Sequence, residues 1–139
     1  MTNDMTCKFG MDFTGAKFYI KKTSNSPFVA FKGGELYIQG PSAPKDSEAF
    51  YAPIIDKVED LIKKNKLHTI NIDFDYFNAS SSQNLIKLFR IFEQFNKNNA
   101  KMNPEVKWYY KRDDKDMLES GEECKDQIQV KFTMIEKKF

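Results

Sequence analysis

Thr69-Ile70-Asn71-Ile72-Asp73-Phe74-Asp75-Tyr76-Phe77-Asn78-Ala79-Ser80-Ser81-Ser82-Gln83 changes its apolar period partway along, and that change decides the fold class. Up to Phe77 the residues alternate, with Ile70, Ile72, Phe74 and Tyr76 on one face and Asn71, Asp73, Asp75 and Phe77 on the other. Alternation of this kind is the period of a half-buried strand. Beyond the serines the apolar positions become Leu85, Leu88, Phe89, Phe92 and Phe95, the period of a helix. The pattern predicts a strand feeding directly into a helix that fades in Asn96-Lys97-Asn98-Asn99. Ser80 with Gln83 three residues on matches a capping box, which puts the serine run at the positive end of that helix.

Upstream, Ile54, Val58, Leu61 and Ile62 form the stripe of a second helix, with Asp46 or Ser47 as its cap and Pro53 expected in its first turn. Lys17-Phe18-Tyr19-Ile20 reads as a short strand. Phe28-Val29-Ala30-Phe31 and Leu36-Tyr37-Ile38 read as a hairpin around Gly33-Gly34. Gly40-Pro41-Ser42-Ala43-Pro44 is expected to break regular structure. Downstream, Val106-Lys107-Trp108-Tyr109-Tyr110 is a strand, and a last strand runs from Ile128 to Ile135. The resulting order, β-β-β-α-β-α-β-β, predicts an α/β domain: a mixed sheet covered by helices. Residues 17–139 form that single domain, and residues 1–16 are read as a flexible arm or an irregular lead-in.

Composition agrees with one globular domain, since 40% of the 139 residues are hydrophobic, 30% are charged and 13 are Phe. A net charge of +2 is too small to drive non-specific binding to nucleic acid or a membrane surface. Cys7, Cys124 and the single histidine, His68, lack the spacing of a zinc site. No leader segment or membrane span is legible, so the expectation is a cytoplasmic protein with reduced thiols, no metal and no cofactor.

Hydroxyls at a helix start are ordinary caps, and they are also places where an added phosphate is stabilised by free N–H groups. Asp73 and Asp75 point to one face, but no third ligand or base stands beside them, so a solvated or partner-facing strand end outweighs an active site. Trp108-Tyr109-Tyr110-Lys111-Arg112 interleaves aromatic and basic residues, which makes a nucleic-acid-binding sheet the alternative reading. The neighbouring Asp113, Asp114 and Asp116 oppose it. Between Asp113 and Asp126 seven acidic residues face two lysines, and this segment reads as a solvated turn or helix end with an inert Cys124.

Several stretches together resemble the SiaC-type family of small bacterial regulatory phosphoproteins, whose domain is similar to the STAS domains of anti-sigma-factor antagonists. They are Gly34-Glu35-Leu36-Tyr37-Ile38-Gln39-Gly40 with Ser42 and Pro44, Phe50-Tyr51-Ala52-Pro53-Ile54-Ile55 and Asp73 through Ser82. Val106-Lys107-Trp108-Tyr109-Tyr110 with Asp113-Asp114, Asp116-Met117, Glu119 and Gly121-Glu122 completes the set. The resemblance spans about residues 27–135.

It implies a STAS-like, non-enzymatic binding module that works as a phospho-switch. A serine/threonine kinase modifies a hydroxyl in the strand-to-helix turn, a phosphatase reverses it, and one form engages a target. In the best-known arrangement that target is a diguanylate cyclase. The implied contacts are Asp75, Tyr76, Phe77, Asn78, Ala79 and Ser80. The family's turn reads Asn-Thr-Ser-Ser with the Thr as acceptor, and this chain has Ala79 there. The resemblance therefore leaves Ser80, Ser81 and Ser82 as candidate acceptors, or a member locked unmodified that binds constitutively. Monomer or weak dimer is the expected state.

Overall fold

Gly33 and Gly34 both take positive φ, 63° and 82°, as a two-residue hairpin turn requires. They join β2 (Phe28–Lys32) to β3 (Glu35–Ser42), which pair antiparallel, and β1 (Phe18–Ile20) adds antiparallel to β2. The remaining elements are α1 (Ser47–Lys63), β4 (Thr69–Phe77), α2 (Ala79–Asn98), β5 (Glu105–Lys111), α3 (Lys115–Gln127) and β6 (Lys131–Lys137). This computed structural model describes residues 13–98 and 103–137.

The six strands lie in sequence order, and β3, β4, β5 and β6 are mutually parallel. Right-handed crossovers between parallel strands that never reverse direction across the sheet put every connecting helix on the same face. One core accordingly contains Tyr51, Ile54, Val58, Leu61 and Ile62 of α1, Leu85, Leu88, Phe89 and Phe92 of α2, and Met117 and Cys124 of α3. They pack on Val29, Leu36, Ile38, Ile70, Ile72, Phe74, Val106, Trp108 and Phe132 from the strands. On the opposite face Phe28, Ala30 and Tyr37 pack with Phe13, whose ring meets Phe28 and Tyr37 edge-on at 5.1 and 4.8 Å. Ala16 and Tyr19 pack against this second cluster, and further along the sheet Tyr109 Oη donates to Asn71 Oδ1 (3.2 Å) and Asn71 Nδ2 donates to Glu35 Oε1 (3.0 Å).

The expected mixed sheet and element order hold, and the structure adds a helix and shifts several details. The acidic segment is α3, not a solvated turn. Its buried stripe is Met117, Gly121 and Cys124, and Asp114 caps it by accepting from Met117 N at 3.0 Å. Gly121 lets the helix press on the sheet: a Cβ there would come within 2.6 Å of both the Trp108 indole and Met134 Cε. Pro53 lies inside α1 beyond its first turn, and Asp46 is the cap, accepting from Ala49 N at 3.0 Å. Proline at that position removes one helical N–H donor, and the exposed side of the helix, where Pro53 sits, tolerates the loss.

Gly40-Pro41-Ser42 continues β3 instead of ending it. Gly40 pairs with Phe74 and Pro41 with Tyr76, so Asp75 is an extra residue in β4, a bulge that absorbs the missing proline N–H. Gly40 adopts φ 116° at this point, a conformation that favours glycine. The extra residue reverses the alternation beyond it. Tyr76, expected on the core face, is 51% exposed, and Phe77 turns inward against Phe74 and Trp108 at 5.6 and 5.9 Å. Of the expected arm, residues 1–12 lie outside the described residues, while Phe13 is fully buried, so packed structure starts before Lys17.

Candidate interaction groove at the start of α2

The ends of β3 and β4 and the starts of α1 and α2 meet in a cluster of hydroxyls. Ser42 closes β3, and its carbonyl accepts from Asn78 N (3.1 Å) and from Ser81 Oγ (2.8 Å). The Ser42 hydroxyl donates to Ser81 Oγ at 2.9 Å and lies 2.6 Å from Tyr51 Oη. With its proton directed at Ser81, Ser42 accepts from Tyr51. Ser47 Oγ bridges onward, 3.3 Å from Ser81 Oγ and 2.9 Å from Ser80 Oγ. Burial pushes the Tyr51 phenol up to about 12, with its hydrogen bonds to Ser42 and Ser81 pulling weakly the other way.

The helix cap is Asn78 and not Ser80: Asn78 Oδ1 accepts from Ser81 N at 2.9 Å, and Asn78 O accepts from Ser82 N at 3.1 Å. Both residue types cap well, and the bulge ends β4 so that Asn78 reaches the position first. The three candidate serines separate as a result. Ser80 is exposed, and its hydroxyl donates to Asn78 Oδ1 at 3.1 Å. Ser81 is fully buried. Ser82 is half-buried and opens onto a groove of about 460 Å³.

Asp75, Tyr76, Phe77, Asn78 and Ala79 line that groove together with Ser82, so five of the six expected contacts fall on one surface. Ser80 borders the hydroxyl cluster instead. The facing wall comes from α3 and its cap: Asp114, Asp116, Met117, Ser120, Glu123, Cys124 and Gln127. Sequence reasoning placed none of these at the site. The available signal was Asp114 followed by Met117, Gly121 and Cys124 at helical spacing, hidden because two of the three buried positions are a glycine and a cysteine. Burial pushes the Cys124 thiol up to about 11, assisted by the nearby Glu123 charge, which keeps it protonated and unreactive at neutral pH.

The other candidates resolve into structural roles. Asp73 is 2% exposed and receives Lys137 Nζ at 2.6 Å, so it does not act as a pair with the exposed Asp75. No group of three or more metal-ligating residues occurs among the described residues. Trp108 is fully buried and donates Nε1 to Met117 O at 3.0 Å, which removes the main stacking platform of the nucleic-acid alternative. No helix among the described residues is long and apolar enough to cross a membrane.

Fold and groove together define an α/β domain that presents a strand-to-helix turn on an open surface. A sequence model described as SiaC family regulatory phosphoprotein matches residues 20–137, and the chain belongs to that family. Among solved structures, the fold is similar to a chain of the crystal structure of diguanylate cyclase SiaD in complex with its activator SiaC from Pseudomonas aeruginosa. That match has a TM-score of 0.79 and 21% identity, over 87% of this chain and 100% of the other. Apo-SiaC from the same organism matches with a TM-score of 0.76 and 21% identity, over 85% of this chain and 97% of that one. No curated protein matches the chain.

Proposed function

We infer that this protein is a non-enzymatic, cytoplasmic phospho-switch that binds a diguanylate cyclase, and that a kinase and a phosphatase set its state at the turn Asn78–Ser82. The observation that carries this reading is the convergence of residues 75–79 and Ser82 on one open groove in a member of a regulatory phosphoprotein family. The similar fold seen in a cyclase–activator complex supports the choice of target. With alanine at position 79, modification falls to Ser80 or Ser82, the two accessible hydroxyls. A phosphate adds about −1.5 to −2 charge. On Ser80 it displaces the bonds to Asn78 and Ser47, and on Ser82 it faces Asp114, Asp116 and Glu123 across the groove. Either change alters the surface a partner meets without requiring the core to move.

Binding to purified diguanylate cyclases of the same organism tests this directly by titration calorimetry. One cyclase should form a complex that Tyr76→Arg abolishes while leaving the fold intact. Binding by none of them, or equal binding by Tyr76→Arg, contradicts the reading.

A further inference from the structure

The groove is acidic as well as open. Asp75, Asp114, Asp116 and Glu123 line it, and its described lining includes no lysine, arginine or histidine, in a chain whose net charge is +2. Between the carboxylates lie apolar surfaces from Phe77, Met117 and Cys124, with Tyr76 half exposed at the edge. Tyr76 is the exposed large hydrophobic residue among those described, and an aromatic ring left half in solvent beside a concave surface is the usual form of an interface anchor.

The acids are ordered as well as concentrated. Asp116, Ser120, Glu123 and Gln127 follow one face of α3 at helical spacing, next to the buried stripe that Gly121 holds against the sheet. From Asp116 to Gln127 this face is about 16 Å long at the usual helical rise, the length of three helical turns or of five extended residues. Asp75 and Asp114 share an adjoining cleft with Lys111 and Lys137, so the negative charge the groove presents to a ligand centres on Asp116 and Glu123, which repel phosphate backbones and anionic headgroups. A positively charged polypeptide segment is attracted, and its apolar side chains have Tyr76 and Met117 to cover.

We propose that the groove between the Asp75–Ser82 turn and α3 takes a basic segment of a protein partner, with lysine or arginine side chains facing Asp116 and Glu123 and an aliphatic or aromatic side chain seated against Tyr76 and Met117. The proposal rests on the groove being the docking surface of a regulatory domain, and it adds the chemistry of what docks there. Charge of this kind sets partner choice and the rate of encounter, while the apolar contact holds the complex.

The test is an NMR titration of the full-length, 15N-labelled protein with three probes: a short synthetic peptide of lysine, leucine and alanine, the same peptide with glutamate for lysine, and spermidine. The lysine peptide should shift the amides of Tyr76, Ala79, Met117 and Ser120 saturably, and binding should weaken at least about tenfold when salt rises from about 0.05 to 0.5 M. The double variant Asp116→Lys with Glu123→Lys should lose that binding while keeping the dispersed spectrum of a folded chain. Neither residue makes the α3 cap, which belongs to Asp114. Shifts centred elsewhere, equal binding by the glutamate peptide, equal binding by the double variant, or spermidine binding as tightly as the peptide would each overturn the proposal. Phosphoryl mapping across Asn78–Gln83 reads the switch without reference to groove charge, so the two ideas fail separately.

Discussion

Ser81 in the first turn of α2 and Ser42 at the end of β3, 39 residues apart in sequence, clamp each other: Ser81 Oγ donates to the Ser42 carbonyl at 2.8 Å and accepts from the Ser42 hydroxyl at 2.9 Å. The clamp fixes where α2 starts and therefore which hydroxyls of the turn face outward. Ser81→Ala should lower stability by about 1–2 kcal/mol, because the buried Ser42 hydroxyl loses its acceptor. Ser81→Asp should cost more, since it buries an unpaired charge. Urea denaturation of both variants measures this, and a neutral Ser81→Asp would mean the turn is looser than described.

Tyr51 makes the same cluster sensitive to alkali. Its phenol is pushed up to about 12 by burial from an ordinary 10.0. A folded-state pKa above the unfolded one gives stability that is full below pH 10 and is lost as pH rises toward 12, by up to about 3 kcal/mol. Tyr51→Phe should flatten that decline relative to the parent while lowering stability modestly at neutral pH. Parallel alkaline profiles for the two proteins would contradict the assignment.

Gly121 sets the distance between α3 and the sheet. Gly121→Ala forces a methyl into the Trp108 ring and Met134, so it should destabilise by about 1–3 kcal/mol despite alanine's better helix propensity. Trp108 should report the shift as a change in near-ultraviolet circular dichroism. An unchanged spectrum with raised stability would show that the helix stands further off.

Asp73 and Lys137 tie the central strand β4 to the last strand β6, and the pair is asymmetric, with side-chain exposures of 2% and 12%. Removing the lysine strands the more buried charge. Lys137→Met should therefore cost about 3 kcal/mol and Asp73→Asn clearly less. The reverse order in thermal denaturation would contradict the description of this contact.

Much of this architecture was legible because period and turn chemistry agree along most of the chain. Gly33-Gly34 between two strand-forming runs gave the hairpin, and the stripe Ile54, Val58, Leu61 and Ile62 gave α1. The change of period after Phe77 located the turn, and the resemblance gave it a role. What stayed hidden was hidden for identifiable reasons. A bulge is one inserted residue, and nothing in the alternation of Ile70 through Phe77 says that Asp75 is extra, so Tyr76 and Phe77 exchange faces unannounced. The positive φ of Gly40 and the following Pro41 are its only local trace. Helix α3 escaped because its buried stripe is carried by a glycine and a cysteine among seven acids. The ranking of the serines could not come from local sequence, since Ser81 is withdrawn by contacts with Ser42 and Ser47.

Whether the turn is a working phospho-switch is read from the intact mass of the protein purified from its own host, with and without phosphatase, followed by fragment mapping across Asn78–Gln83. A phosphatase-sensitive gain of ~80 Da, one phosphoryl group, should appear on Ser80 or Ser82. Absence of that species under every growth condition, or its location on Ser81, would contradict the proposed switch.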